Sequence, residues 1–120
     1  MSAPAVTRVA VARLDDIAPG GLLGVVTPDG RRVVLVRQAG IVRALDDRCP
    51  HQAMPLSSGE LLEDGTIECP WHGARFDCRS GRCVQGPATD DVATYDVDVN
   101  ADGTIFLLLR QVARDPDGQA

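Results

Sequence analysis

Two short stretches decide how this 120-residue chain is read: Cys49-Pro50-His51 and Cys69-Pro70-Trp71-His72-Gly73, separated by the seventeen residues from Gln52 to Glu68. The chain has two histidines and four cysteines, so both histidines and half the cysteines fall inside these loops. Each loop offers one thiolate and one imidazole at metal-ligand spacing. Zinc in a tetrahedral two-Cys, two-His site is one reading, but its usual spacing pairs Cys with Cys and His with His. Loops that mix the ligand types suit a two-iron cluster bracketed between them, with both cysteines on one iron and both histidines on the other.

Working outward, the flanks are β throughout. Runs of β-branched residues are cut every eight to twelve residues by Gly, Pro and Asp, and no convincing amphipathic helix appears. Strands are expected over Val6 to Val11, Leu22 to Thr27, Arg32 to Arg37 and Ile41 to Leu45, with turns at Thr27-Pro28-Asp29-Gly30 and Ala39-Gly40. Beyond the loops, Tyr95, Val97 and Val99 alternate with Asp96, Asp98 and Asn100, which predicts a strand with one wet face. A turn at Asn100 to Gly103 leads into Thr104 to Leu109. The segment from about residue 46 to 88 is rich in Pro, Gly and Cys and reads as an insertion between outer strands that pair with one another. Short strands are expected within it at Thr66-Ile67-Glu68 and Ala74 to Cys78, followed by a turn through Arg79-Ser80-Gly81-Arg82. Residues 112–120 have too little apolar content to pack and read as a flexible tail.

Composition bounds the function. A length of 120 residues with 44% hydrophobic content supports one domain spanning 1–120. The net charge of −5, with only short basic groups such as Arg31-Arg32, argues against nucleic acid and suits a partner with a basic docking face. No run approaches the roughly eighteen apolar residues of a membrane span, and Met-Ser-Ala-Pro-Ala-Val lacks the features of a secretory signal. A soluble cytoplasmic protein is expected, in a reducing compartment where loop cysteines serve as thiolate ligands.

The two loops, the following Phe76-Asp77, the stretch Pro55-Leu56-Ser57-Ser58-Gly59 and the later Gly86-Pro87-Ala88 together resemble a Rieske protein over most of residues 40 to 110. The resemblance implies an all-β Rieske fold: antiparallel, β-sandwich-like sheets with a small cluster-binding subdomain, about 46–88, inserted between outer strands. It implies one [2Fe-2S] cluster of Rieske type, with Cys49 and Cys69 on the inner iron and His51 and His72 on an outer iron whose imidazole edges face a partner. Two ferric ions, two sulfides and two thiolates cancel in charge. Neutral imidazoles in place of two thiolates therefore make the centre easier to reduce than an all-cysteine cluster.

Respiratory Rieske proteins, which have high potentials, place a Ser and a Tyr hydroxyl where this chain has Ala74 and Phe76, and a disulfide where it has Met54 and Trp71. Those hydroxyls and that brace are missing here, which implies the low end of the Rieske range of roughly −150 to +300 mV. The chain thus resembles the Rieske-type ferredoxins that carry electrons from a flavoprotein ferredoxin reductase to a terminal ring-hydroxylating, non-haem iron oxygenase. It would have no substrate chemistry of its own, because a mononuclear iron would need histidines already spent on the cluster. The Rieske-type small subunit of an assimilatory nitrite reductase is the alternative, and a structural zinc module a third class.

Within the motif, Pro50, Pro70 and Pro87 are expected to stiffen the loops around the cluster, Gly73 and Gly86 to admit close backbone approach, and Trp71 to shield the centre from water or serve as core. Cys78 and Cys83 could face each other across a hairpin as small apolar residues, as a disulfide or as substitute ligands. Asp46, Asp47, Glu60, Glu63 and Asp64 read either as a solvated face or as a docking surface.

Overall fold

A computed structural model describes residues 6–49, 54–70, 73–86 and 90–110. Pro50, His51, Trp71, His72, Pro87 and the expected tail 112–120 lie outside the described residues. Among the described residues there are ten strands: β1 Val6–Arg13, β2 Leu22–Val26, β3 Arg32–Gln38, β4 Ile41–Asp46, β5 Glu60–Leu61, β6 Thr66–Glu68, β7 Arg75–Asp77, β8 Cys83–Gln85, β9 Thr94–Val99 and β10 Thr104–Arg110. Single 3₁₀ turns at Leu14–Asp16 and Leu56–Ser58 complete the described elements. The fold is all-β, as expected. The short strand β5 and the two 3₁₀ turns, which the periodicity does not signal, are additions to the expected set, while β8 is the return arm of the hairpin expected at Arg79 to Arg82.

Every strand pair is antiparallel. A six-stranded sheet runs β1-β10-β9-β4-β3-β2, and its two edge strands approach each other, so the sheet curls. A four-stranded sheet runs β5-β6-β7-β8, and all four of its strands lie in sequence between β4 and β9. Those two flanking strands pair through Ala44 with Tyr95 and Leu45 with Thr94, and the Asp46 amide donates to the Ala93 carbonyl at 2.8 Å.

Strand β3 explains how the two sheets are joined. Its run Val33-Val34-Leu35-Val36 is buried on both faces, the condition under which a strand becomes continuously apolar rather than alternating. Successive side chains point to opposite faces. Val33 and Leu35 therefore enter a core with Ile17, Ala44, Ile105, Leu107 and Leu109 inside the curled sheet, while Val34 and Val36 enter a second core built on the four-stranded sheet. Strand β4 divides likewise, with Ala44 in the first core and Leu45 in the second.

Turn chemistry closes the hairpins. Ala39 and Gly40 join β3 to β4 with φ of 53° and 78°, the two-residue turn with positive φ at both positions that matches strand twist. In β1 the pairing with β10 slips between Ala10 and Ala12, and this bulge at Val11 lets Val9, Val11 and Ala12 all pack on the first core.

Candidate metal centre

Both cysteines of the motif stand where a strand runs into a loop. Cys49 follows the end of β4 and Cys69 follows β6 directly. Their side chains belong to the second core, together with Leu56, Ile67, Ala74, Phe76, Cys78 and Val92, and their exposures are 0% and 1%. The two loops are closed by the same hydrogen bond. The Cys49 amide donates to the Met54 carbonyl at 2.9 Å, and the Cys69 amide donates to the Ala74 carbonyl at 2.7 Å. Each bond joins a cysteine to the residue five positions further along the chain. Gly73 has φ of +71°, which a side chain would strain, and a Cβ there would meet no neighbour. The Gln85 amide nitrogen donates to the Gly73 carbonyl at 3.2 Å, bracing the second loop from β8.

The first loop is held from below by a residue that sequence reasoning placed on an acidic face. Asp47 is only 7% exposed. Its Oδ1 accepts from the Ser57 amide and its Oδ2 from the Ser57 hydroxyl, both at 2.6 Å, while its own amide donates to the Arg32 carbonyl at 2.9 Å. Gly24 of β2 makes the space: a Cβ there would stand 2.9 Å from Ser57 Oγ and 3.0 Å from Asp47 Oδ2. Asp47 therefore does not belong to the solvated face or docking surface on which the sequence reading grouped it with Asp46, Glu60, Glu63 and Asp64. Asp46 is half-buried, accepts a long 3.4 Å bond from the Tyr95 hydroxyl, and has its carboxyl pushed up by burial. Asp64 caps the backbone at Thr66, whose hydroxyl and amide donors hold its carboxyl below the usual range. Glu60, Glu63 and Asp64 are exposed.

The Rieske [2Fe-2S] domain family matches residues 7–96 of the chain. The chain belongs to that family. A Rieske-type [2Fe-2S] cluster is its cofactor. A 3-phenylpropionate/cinnamic acid dioxygenase ferredoxin subunit of Photorhabdus laumondii is 36% identical over 106 residues, covering 88% of this chain and 97% of its own length. The solved ferredoxin of carbazole 1,9a-dioxygenase from Nocardioides aromaticivorans superposes with a TM-score of 0.79 at 34% identity, covering 88% of this chain and 99% of that one. A Mycobacterium tuberculosis structure described as an NADH-dependent nitrite reductase small subunit superposes with a TM-score of 0.78, but at 25% identity, covering 91% and 98%.

The local chemistry fits a Rieske cluster. Thiolates buried in an apolar core require a cation to offset the loss of solvation, and two cysteines sit in such a core at the mouths of matching loops. Ala74 and Phe76, both fully buried in the same core, carry no side-chain donor. Met54 is half-buried and Pro70 exposed, each at the rim of its loop.

Cys78 and Cys83 in this Rieske chain do not face each other. A register shift in the β7–β8 hairpin sets Cys83 opposite Phe76, while Cys78 falls in the turn, where its amide donates to Gly65 at 3.0 Å. The turn closes instead through Asp77, whose amide donates to the Arg82 carbonyl at 2.9 Å. No disulfide forms among the described residues. Burial pushes the Cys78 thiol up to about 12.

Proposed function

We propose that Cys49 and Cys69 hold one iron of the cluster and His51 and His72 the other, and that the chain carries single electrons from a flavoprotein ferredoxin reductase to the terminal non-haem iron oxygenase of a ring-hydroxylating system. The observation that carries this reading is the pair of matched five-residue closures at Cys49 and Cys69, which open two loops of equal size from one apolar core. The relatives support the electron-carrier role, since a ferredoxin subunit of a dioxygenase matches over nearly its whole length.

The cluster supplies a one-electron acceptor. Around it, the protein contributes burial on the cysteine side, stiff loops through Pro50, Pro70 and Pro87, a shield in Trp71, and side chains without hydroxyls at Met54, Ala74 and Phe76. Hydrogen bonds to cluster sulfurs raise the potential of Rieske centres, and removing them places this one near the low end of about −150 to +300 mV. Both histidines are committed to the cluster, so the chain builds no second iron site of the two-His, one-carboxylate kind and transforms no substrate itself. Thiolate ligands in loops suit the reducing cytoplasm. Among the described residues no helix is long and apolar enough to cross a membrane.

Anaerobic redox titration followed by EPR tests the reading. The purified protein is expected to be red-brown and, when reduced, to give the low average g-value of mixed His and Cys ligation, with a midpoint below zero. A colourless zinc protein, or a midpoint well above zero, would overturn it. The nitrite reductase small subunit is a second reading because of the 0.78 TM-score. A large subunit that co-purifies stably would favour it.

A further inference from the structure

We propose that Asp47 is a positioning residue for the cluster: a fixed, buried negative charge, tied to Ser57, that holds the reduction potential of the neighbouring centre down. This rests on the reading of Cys49 as a ligand.

The geometry separates Asp47 from the other acids of the chain. Both of its carboxylate oxygens are engaged by one residue, Ser57, through a backbone and a hydroxyl donor at 2.6 Å. Four pieces of the fold converge there: β2 through the bare Cα of Gly24, β3 through the Arg32 carbonyl, the end of β4, and the 3₁₀ turn carrying Ser57. Among the described residues no ion pair to Asp47 occurs, so the direct partners of its carboxylate there are the two Ser57 donors, while Arg32 and Arg48 line the cavity beside it. Two residues of chain reach at most about 7 Å, which bounds the separation of the Asp47 and Cys49 Cα atoms. Both side chains are buried, so the interaction runs through a weakly polarisable medium and little counter-ion reaches it.

A negative charge near the centre opposes the arrival of an electron. Ser57 moderates that charge by donating to it, and orients it by fixing both oxygens. The same pair holds the foot of the first loop, since residues 47 and 57 lie on either side of the closure from Cys49 to Met54. Charge and position can be separated because they predict different signs. Asp47→Asn preserves shape and can still accept and donate to Ser57, but removes the charge. Ser57→Ala keeps the charge and removes one of its two donors.

The experiment is an anaerobic redox titration of the intact, cluster-loaded protein and of both variants, at low and high salt, with iron content and visible spectrum recorded for each. Glu60→Gln, at an exposed carboxylate, serves as a control. Asp47→Asn is expected to shift the midpoint upward by an amount that survives high salt. Ser57→Ala is expected to shift it downward, and Glu60→Gln to give a smaller shift that salt abolishes. The proposal is overturned if Ser57→Ala raises the midpoint or leaves it unchanged, or if a loaded Asp47→Asn protein titrates like the wild type. Should Asp47→Asn fail to load its cluster, the sign of the Ser57→Ala shift still decides. Wild-type protein that carries no iron–sulfur spectrum would instead sink the ligand reading on which the proposal stands.

Discussion

Val92 and Gly81 are locked together across the base of the insertion. The Val92 amide donates to the Gly81 carbonyl at 2.7 Å, and the Val92 carbonyl oxygen occupies the space that a side chain on residue 81 would need. This contact fastens the β7–β8 turn to the segment that leads back into β9, and Val92 itself is buried in the core that holds Cys49 and Cys69.

Gly81→Ala therefore combines two penalties, a backbone at φ of +75° and a collision with a main-chain oxygen. Positive φ alone costs a side chain about 1–2 kcal/mol, and the collision adds overpacking strain of about 1–3 kcal/mol. Gly30 has φ of +89° with open space around its Cβ position, so Gly30→Ala meets the first penalty only. Denaturant unfolding of both variants should show Gly81→Ala to be the more destabilised; equal losses would refute the contact.

Ala39 offers the opposite opportunity. It occupies the first central position of the β3–β4 turn at φ of 53°, where Asn or Gly is the favoured residue. Ala39→Asn is expected to stabilise the protein by about 0.5–1 kcal/mol, since the left-handed conformation costs Asn less than Ala. Calorimetry should record a melting temperature higher by roughly 2–5 °C.

Cys78 should be inert to alkylation in the folded protein at pH 8 and react on unfolding, as mass spectrometry of iodoacetamide adducts would show. Its thiol lies in the core and is pushed up to about 12 by burial. The folded value lies above the unfolded value of 9.0, so the thiol's contribution to stability is complete below pH 9 and is lost as pH rises from there toward about 12. Tyr95 acts in the same direction, its phenol raised above 10.0 by burial and by the Asp46 carboxylate. Unfolding free energy should thus decline on the alkaline side of pH 9, and Cys78→Ala should lessen that decline.

Cys49→Ser and Cys69→Ser should each abolish the iron–sulfur absorbance and lower the melting temperature, because a bound cluster stabilises only the folded chain. Removing the cluster from wild-type protein with a chelator under reducing conditions should reproduce that loss. The apo wild type and the two variants should then melt within a few degrees of one another, on the order of a single buried side-chain change.

Much of the fold was legible in the sequence. Alternation at Tyr95 to Asn100, the Gly-containing turns at residues 27–30, 39–40 and 100–103, and the β-branched run of β3 each placed a strand or turn by local preference. The sequence did not reveal β5, only two residues long, or the bulge at Val11, because neither has a periodicity of its own and both are imposed by partner strands. A hairpin turn through Arg79 to Arg82 allows Cys78 and Cys83 to face each other but does not require it. Its actual register follows from the Asp77 to Arg82 closure, a long-range choice that residue spacing does not encode.

The candidate site divides along the same line. Ligand-type residues in two mixed loops are a local pattern, readable because metal binding demands particular atoms at short spacing, and the sequence alone determined the family, the cluster and the all-β class. Burial is collective. Whether Asp47 meets water or Ser57 depends on β2 passing beneath it with a glycine at position 24, twenty-three residues earlier in the chain. In the same way, only the tertiary structure decided that β3 serves two cores, its Val34 and Val36 supporting the cysteines while Val33 and Leu35 fill the curled sheet. A strand's sequence states that both faces are apolar, and the packing of distant segments determines what each face covers.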